Sequence, residues 1–581
     1  MMMSESSAVR PSTSASRPAR RTSGEGWVHE VRGLRVMRVK GSFYEMGRQH
    51  GALLADEIRR GPIPYYRHFC EKLFGGGALG KLGPVAFSGL QRTVGRKVAK
   101  TMPSYALETM RGVADGAGIP FQDLLDGGTM PDAMVWLASR IIQLRAPGPA
   151  VAHRLSLGIG CTSAIAWGDA TKDGKLLHAR NFDYHGVSAW PSTATILFHE
   201  PDEGMKYVSV TAAGVPMGGV TAMNEAGLTL TVHQHMFTAE AKLGGLPIAV
   251  LGDEIMRKAR TLADAERILE SHTHIGCWTY LITSAKEKAV LCWEESPRRK
   301  APRLSGKRES TFGYANIYLD RELGDTEANL YGAYWRHNHA RYVRVNERLA
   351  DGKGALDPAA MAEILGDTGS GACRVAESIA MVLTVGSVVF RPEDGAFWVG
   401  TGETPTSRGT FVPFHLGRQD HAPELGDIPV GDDATRSADQ AFGAFRDAYV
   451  AYMDASDLGA ARDAMARATD LAPEQSVYHA TAGLLALQAG DARAAERSLS
   501  RAIDLGHAHE ERLSSFYLWR GRARDVLGDR AQAERDYRAS LALRADDPVR
   551  AAAKKGLARP YPAAKTKRIH VDMSLGDVVQ P

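Results

Sequence analysis

Residues 158–184 read GIGCTSAIAWGDATKDGKLLHARNFDY, and the rest of the chain is interpreted outward from this stretch. Cys161 stands behind Gly160 and ahead of Thr162 and Ser163, and Arg180-Asn181-Phe182-Asp183 follows about twenty residues on. A thiol so placed can attack the carbonyl of the peptide bond before it, break the chain, and free its own α-amine as a general base. An ordinary cysteine is only a few per cent thiolate at neutral pH and needs such an activator. A free α-amine, with a pKa of about 7.7 to 8.0, supplies it without any histidine. Gly160 suits the scissile position, because without a Cβ it can adopt the strained geometry that admits the sulfur. The bland alternative is a cysteine in an ordinary strand after a turn.

Upstream, LRVMRVKGS alternates as a strand should, and FYEMGRQHGALLADEI then changes to helical spacing. From about 50 to 145 the pattern is mainly helical, interrupted by FGGGALGKLG, Pro103 and Pro120. Downstream, CTSAIAWGDA, KLLHARNFD, ATILFHE, YVSVTAA and LTLTVHQHM are short β-rich runs, with the turn signal Asp173-Gly174 between the first two. Their spacing predicts hairpins in antiparallel sheets. Helical PIAVLGDEIMRKAR and ADAERILES precede further strands in WTYLITSAKEKAVLCWEES and SVVFRPEDGAFWVGTG. Runs of strands with helices between them predict an α+β sandwich whose sheets are covered by helices.

With GSFYEMGRQHGALLADEI, MNEAGLTLTVHQ, YANIYLD and HNHARYVRV in order around Gly160-Cys161, residues 30 to 415 resemble the isopenicillin-N acyltransferase family of cysteine N-terminal-nucleophile hydrolases. Choloylglycine hydrolases and penicillin V acylases are more distant relatives of that family. The resemblance implies a four-layer αββα sandwich and an acyl-enzyme mechanism on a linear amide or acyl thioester. Arg180 and Asp183 match the family's arginine and aspartate, the first favouring thiolate by opposite charge and the second orienting the α-amine. Taken alone they also read as a solvated ion pair. By resemblance Asn316 supplies a side-chain amide to the oxyanion, with the backbone donor near Gln234; Asn316 could instead cap a turn. His233, Gln234 and His235 depart from the asparagine that many relatives carry near there. Arg341 matches an arginine placed near the nucleophile on a helix, with Arg344 the alternative one turn on.

At 581 residues the chain exceeds what one core usually holds, so two domains are expected. A net charge of +4 is too small to imply a nucleic-acid or membrane surface. Five cysteines without a CxxC pair fit a reducing, cytoplasmic compartment; Cys70, Cys277, Cys292 and Cys373 read as small core residues. Three H-x-H pairs, His233/His235, His272/His274 and His337/His339, lack the HExxH or acidic partner of a metallohydrolase, and no phosphate loop is present. No metal and no cofactor are therefore expected. Trp167, Trp190, Phe237 and Trp278 read as either pocket or core.

From about 437 the chain turns alanine-rich. SDLGAARDAMARATDL from Ser456 and GDARAAERSLSRAIDL from Gly490 superpose at a spacing of 34, and GDRAQAERDYRASLAL from Gly528 follows at about 38. Helical pairs at that period resemble tetratricopeptide repeats, read either as a peptide-binding groove or as a packed cap. The expected organisation is a disordered tail (1–25), an N-terminal fragment (26–160), a nucleophile-bearing fragment (161–420), a linker (421–436), repeats (437–555) and a C-terminal tail (556–581). The first functional reading is an autoproteolytically activated amidohydrolase or acyltransferase whose two fragments stay together. Its rival is a non-catalytic scaffold that binds a protein or peptide through the repeats.

Overall fold

The computed structural model describes residues 19–74, 83–144, 160–235, 238–306, 308–328, 332–369, 375–431 and 436–578. Most of FGGGALGKLG, together with Phe237 and Cys373, lies outside them. Strands are numbered in chain order. One sheet runs β1 (Arg21–Ser23), β2 (Gly26–Val31), β3 (Leu34–Gly41), β6 (Ala194–Pro201), β7 (Tyr207–Ala212), β8 (Thr221–Asn224), β9 (Leu228–Gln234), β10 (Trp278–Ser284), β11 (Ala289–Glu295), β12 (Lys300–Ser305). The other runs β13 (Thr311–Tyr314), β4 (Gly160–Ala166), β5 (Leu177–Asp183), β14 (Thr384–Arg391), β15 (Ala396–Gly400), β16 (Thr410–His415), β17 (Asp420–His421), with β18 (Ile428–Pro429) also on β16.

Their inner faces meet in an apolar layer where Val36, Ile196, Phe198 and Val208 oppose Val388, Phe390, Phe397 and Phe414. Burying each such side chain stabilises by about 1.5–3 kcal/mol. Outside the first sheet, helix Phe43–Leu53 lies against Ser104–Ala117 at backbone contact. A Cβ on Gly47 would stand 2.2 Å from the Thr109 carbonyl oxygen, and one on Gly112 2.1 Å from that of Tyr44. Only glycine permits that approach. Helices Ile248–Lys258 and Leu262–Ser271 cover the same sheet further along, packing on Leu230, Tyr280 and Leu291. Helices Gly332–Asp351 and Pro358–Leu365 cover the second sheet over Ala164, Ala179 and Val389.

Three expectations need correction. β3 and β6 pair in parallel, Arg35 beside Thr195, so the first sheet is not wholly antiparallel. The strands of the N-terminal stretch thus enter a sheet with strands that follow Cys161. The N-terminal tail does not extend to residue 25: β1 forms a hairpin with β2 through Gly24 at φ +56°, and Arg20 stacks 4.0 Å over Trp27. The stretch 421–429 is no free linker, since β17 and β18 add to β16. The turn read at Asp173-Gly174 lies inside the connection from Trp167 to Leu176 that joins β4 to β5, with Gly174 at φ +71°.

The repeat region is a run of helices: Ser437–Tyr449, Leu458–Leu471, Ser476–Gln488, Ala492–Leu505, Glu510–Val526, Arg530–Ala542 and Asp547–Ala558. The sequence period reappears in the turns. Ser456, Gly490 and Gly528 all sit at positive φ, +57°, +88° and +85°. The next residue, Asp457, Asp491 or Asp529, accepts a hydrogen bond from the backbone three residues on, capping the helix. Beyond the last helix the chain is buried rather than a loose tail: Ile569, Val571, Met573 and Val578 share a core with Tyr449, Tyr478 and Phe516 of the repeats and with Met381 and Leu383. Arg512 Nη2 donates to the Leu575 carbonyl at 2.7 Å. Among the described residues no helix is long and apolar enough to cross a membrane.

Candidate active site

Antiparallel register pairs Gly160 with Asp183, Cys161 with Phe182 and Ser163 with Arg180. Side chains alternate along a strand, so Cys161, Ser163, Arg180 and Phe182 share the face turned to the first sheet. Arg180 Nη2 donates to Cys161 Sγ at 3.1 Å. The same guanidinium is held by the carbonyls of Val220 at 2.7 Å and Val232 at 2.8 Å and by the Thr221 hydroxyl. Its orientation toward the sulfur is therefore set by the first sheet. Cys161 is 2% exposed, so the thiol is closed off in the intact chain.

Asn316 lies just beyond β13, the strand on the other edge of β4. Its Oδ1 accepts from the Cys161 backbone N–H at 2.5 Å, and its Nδ2 donates to the Gln234 carbonyl at 2.9 Å. Gln234 ends β9, where N–H and C=O of one residue leave the same strand edge, so its peptide N–H also points toward Asn316. Both polar atoms of the Gln234 side chain are buried without a partner.

Arg341 lies under the opposite face of β4, fully buried on helix Gly332–Asp351. Its Nη1 donates to the Cys161 carbonyl at 2.8 Å and to Thr162 Oγ1 at 2.9 Å; its Nη2 donates to Asn338 Oδ1 at 2.7 Å. Arg344, one turn on, points outward to Asp367 at 2.8 Å. The geometry thus separates the two arginines that the sequence left open. A Cβ on Gly160 would fall 2.9 Å from Arg341 Nη2 and 3.2 Å from Asp183 Oδ2. Any other residue before Cys161 would displace buried charged groups.

Asp183 Oδ1 accepts from Thr384 Oγ1 at 2.6 Å, while Oδ2 is buried without a hydrogen bond, 3.9 Å from Arg341 Nη1. Burial pushes this carboxyl above its ordinary value, opposed by Arg341, the Thr384 bond and Arg180. Two buried guanidinium groups thus flank the strand pair, Arg180 on the face of the sulfur and Arg341 on the face of the single carboxyl. The surplus positive charge suits an anion forming at sulfur or at a carbonyl oxygen.

All five candidate side chains, Cys161, Arg180, Asp183, Asn316 and Arg341, converge on the Gly160–Cys161 bond. Sequence reasoning did not assign Thr162, Thr384, His337 and Asn338 to the surroundings of Arg341 and Asp183; His337 Nε2 accepts from Arg341 Nε at 3.1 Å. The helical signal was present for two of them: His337 and Asn338 precede Arg341 by four and three residues, on one face of the helix. Thr384 comes from a distant strand and had no local signal.

The H-x-H pairs are absorbed elsewhere. His233 bonds Ser163 at 3.0 Å, His235 bonds Thr279 at 2.9 Å, His272 pairs with Glu254 at 3.0 Å, and His339 stacks on Trp335. Among the described residues no three His, Cys, Asp or Glu side chains converge on a metal position.

Comparison with known proteins agrees with part of this picture. Residues 170–405 match the model of the family described as acyl-coenzyme A:6-aminopenicillanic acid acyl-transferase. That stretch contains Arg180, Asp183, Gln234, Asn316 and Arg341, and begins nine residues after Cys161. A solved structure, the N-terminal domain of stress-induced protein-1 (STI-1) from C. elegans, aligns over 22% of this chain and 100% of its own at 16% identity. Its TM-score of 0.20 is too low to carry an argument. An uncharacterized protein of Archaeoglobus fulgidus is 27% identical over 284 residues, 48% of this chain and 46% of its own length, so the chain spans about half of this curated relative.

Proposed function

We propose that the protein is a cysteine N-terminal-nucleophile enzyme that activates itself by cutting the Gly160–Cys161 bond and then transfers or hydrolyses acyl groups. One observation carries this reading: Arg180 Nη2 lies 3.1 Å from Cys161 Sγ while Asn316 Oδ1 holds the N–H of the same residue. In the first step Sγ attacks the Gly160 carbonyl carbon, the C–N bond breaks, and the acyl chain moves to sulfur while the nitrogen becomes an amine. Water then hydrolyses the thioester, leaving a Gly160 carboxylate and a free thiol. The new α-amine stays between Asn316 Oδ1 and the open Asp183 Oδ2, and can take the thiol proton in each later turnover.

The substrate is an acyl thioester or linear amide. The thiolate adds to its carbonyl, and the amine proton passes to the leaving thiol or amine. The resulting thioester is released to water or to an acceptor amine. Asn316 Nδ2 has two hydrogens and Gln234 takes one, so the second is available to the tetrahedral oxyanion beside the Gln234 N–H. Because β3 is embedded beside β6, the two fragments remain one body after cleavage.

The test is a denaturing gel of the purified protein beside its Cys161→Ala variant. The expected result is two bands of about 17 and about 46 kDa, the 62.8 kDa mass divided at Gly160, with the large fragment beginning at Cys161. A single intact band in both, with turnover surviving in the variant, overturns the reading.

A further inference from the structure

The layer between the two sheets is filled unevenly. Phe198, Phe390, Phe397 and Phe414 close it at one end. Toward β5 it opens into a cavity of about 750 Å³, within the usual size of small-molecule pockets. Ile196 and Val210 face it from the first sheet, Val388 and Val399 from the second.

One end of this cavity is Arg180 and Phe182. Phe182 is the cross-strand neighbour of Cys161, and Arg180 holds the sulfur. The cavity therefore begins one strand spacing, about 5 Å, from the strand of the nucleophile. Arg180 Nε is buried with no hydrogen-bond partner. Apolar Ile196, Val210, Val388 and Val399 form the sheet walls, polar side chains such as Glu30, Arg35, Thr211 and Thr401 also line the cavity, and the Arg180 donor stands at the thiol end. The hollow therefore fits a ligand with an acceptor at its head and hydrocarbon along the apolar walls.

Another wall belongs to the repeats. Val450 and Ala451, in the π-helical segment Val450–Asp454 that continues helix Ser437–Tyr449, line the cavity with Arg446 and Asp447 of that helix. This wall is fixed to the sheet body: Tyr449 Oη lies 2.8 Å from His185 Nδ1, Tyr65 Oη donates to Asp454 at 2.7 Å, and Arg446 Nη1 donates to the Thr404 carbonyl at 3.0 Å. Two of the lining arginines are paired with carboxylates, Arg32 with Asp427 at 2.6 Å and Arg446 with Glu403, while Arg35 stands 3.8 Å from Glu57.

We propose that this cavity receives the hydrocarbon chain of the acyl group, head toward Arg180 and tail on the first repeat helix, so that the repeats limit the chain length accepted. The proposal rests on the acyl-enzyme reading above, but its test does not need the thiol. Isothermal titration of full-length Cys161→Ala protein with decanoate is expected to show one site, and titration with acetate no binding. Ala451→Trp on the repeat wall and Val399→Phe on the sheet wall should each weaken decanoate by at least about tenfold. Melting curves identify a misfolded variant, and Ala451→Leu then replaces Ala451→Trp. Absence of decanoate binding to the Cys161→Ala protein, or binding unchanged by both walls, overturns the proposal. Self-cleavage without decanoate binding removes the pocket alone; decanoate binding without self-cleavage removes the mechanism alone.

Discussion

Asp183 and Asp536 are both carboxylates withdrawn from solvent, one beside the candidate nucleophile and one inside the repeats, and they are treated in opposite ways. Asp536 is saturated: Arg520 reaches it at 2.7 and 3.0 Å and Arg524 at 2.9 Å. Asp183 has Thr384 on one oxygen and nothing within hydrogen-bond distance of the other. Burying an ion costs several kcal/mol unless partners offset it. The repeats offset that cost fully, as a structural element should. The strand pair β4–β5 leaves an oxygen open beside Gly160, where the proposed chemistry creates an amine to fill it.

The largest expected effect that tests this contrast is at the sulfur. Cys161→Ala should abolish self-cleavage and lower turnover of acyl amides by more than about 10³-fold, with the melting temperature nearly unchanged, because the change removes one buried atom. Next comes Asp183→Asn, which should slow turnover by about 10²- to 10⁴-fold at saturating substrate. It should not destabilise the protein at neutral pH. The sign follows from the carboxyl's raised value: its stabilising contribution is complete below the ordinary range and is lost as pH rises through the folded-state value. Urea unfolding of the Cys161→Ala protein between pH 4 and 8 should thus show stability falling with pH more steeply than in the double variant carrying Asp183→Asn.

Asp536→Ala should do the reverse. It is expected to cost about 2–3 kcal/mol in urea unfolding, since Arg520 and Arg524 lose their common partner, while turnover per folded molecule stays within about twofold. Asp491→Ala removes one helix cap and should cost about 1 kcal/mol. Smallest of all, Ser456→Gly should stabilise by a few tenths of a kcal/mol, because Ser456 holds the left-handed conformation that glycine takes at the two equivalent turns. Equal sensitivity of activity to Asp183→Asn and Asp536→Ala would erase the distinction between the two carboxylates.

Much of the site was legible because it is local. Cys161, Arg180 and Asp183 fall within 23 residues on two short β-rich strands, and the repeat turns recur with an aspartate cap after Ser456, Gly490 and Gly528. Asn316 and Arg341 came from resemblance, and periodicity alone did not separate Arg341 from Arg344. Thr384 carried no comparable mark, nor did the repeats' place at the cavity wall. The final stretch is the sharpest case: read as a tail, it is threaded through the core shared by repeats and sheets.

The amino-acid order by itself determined the candidate pair Gly160-Cys161, the strand and helix segments, and the repeating helical hairpins, because each is written in residue pattern, periodicity or turn chemistry over a few adjacent residues. Only the tertiary structure decided which arginine lies under the cysteine, which way the Asn316 amide faces, that β3 runs parallel to β6, and that the repeat helix closes a cavity against the sheets. Those outcomes depend on sheet register and helix packing between segments far apart in the chain, where a shift of one residue turns every side chain to the other face.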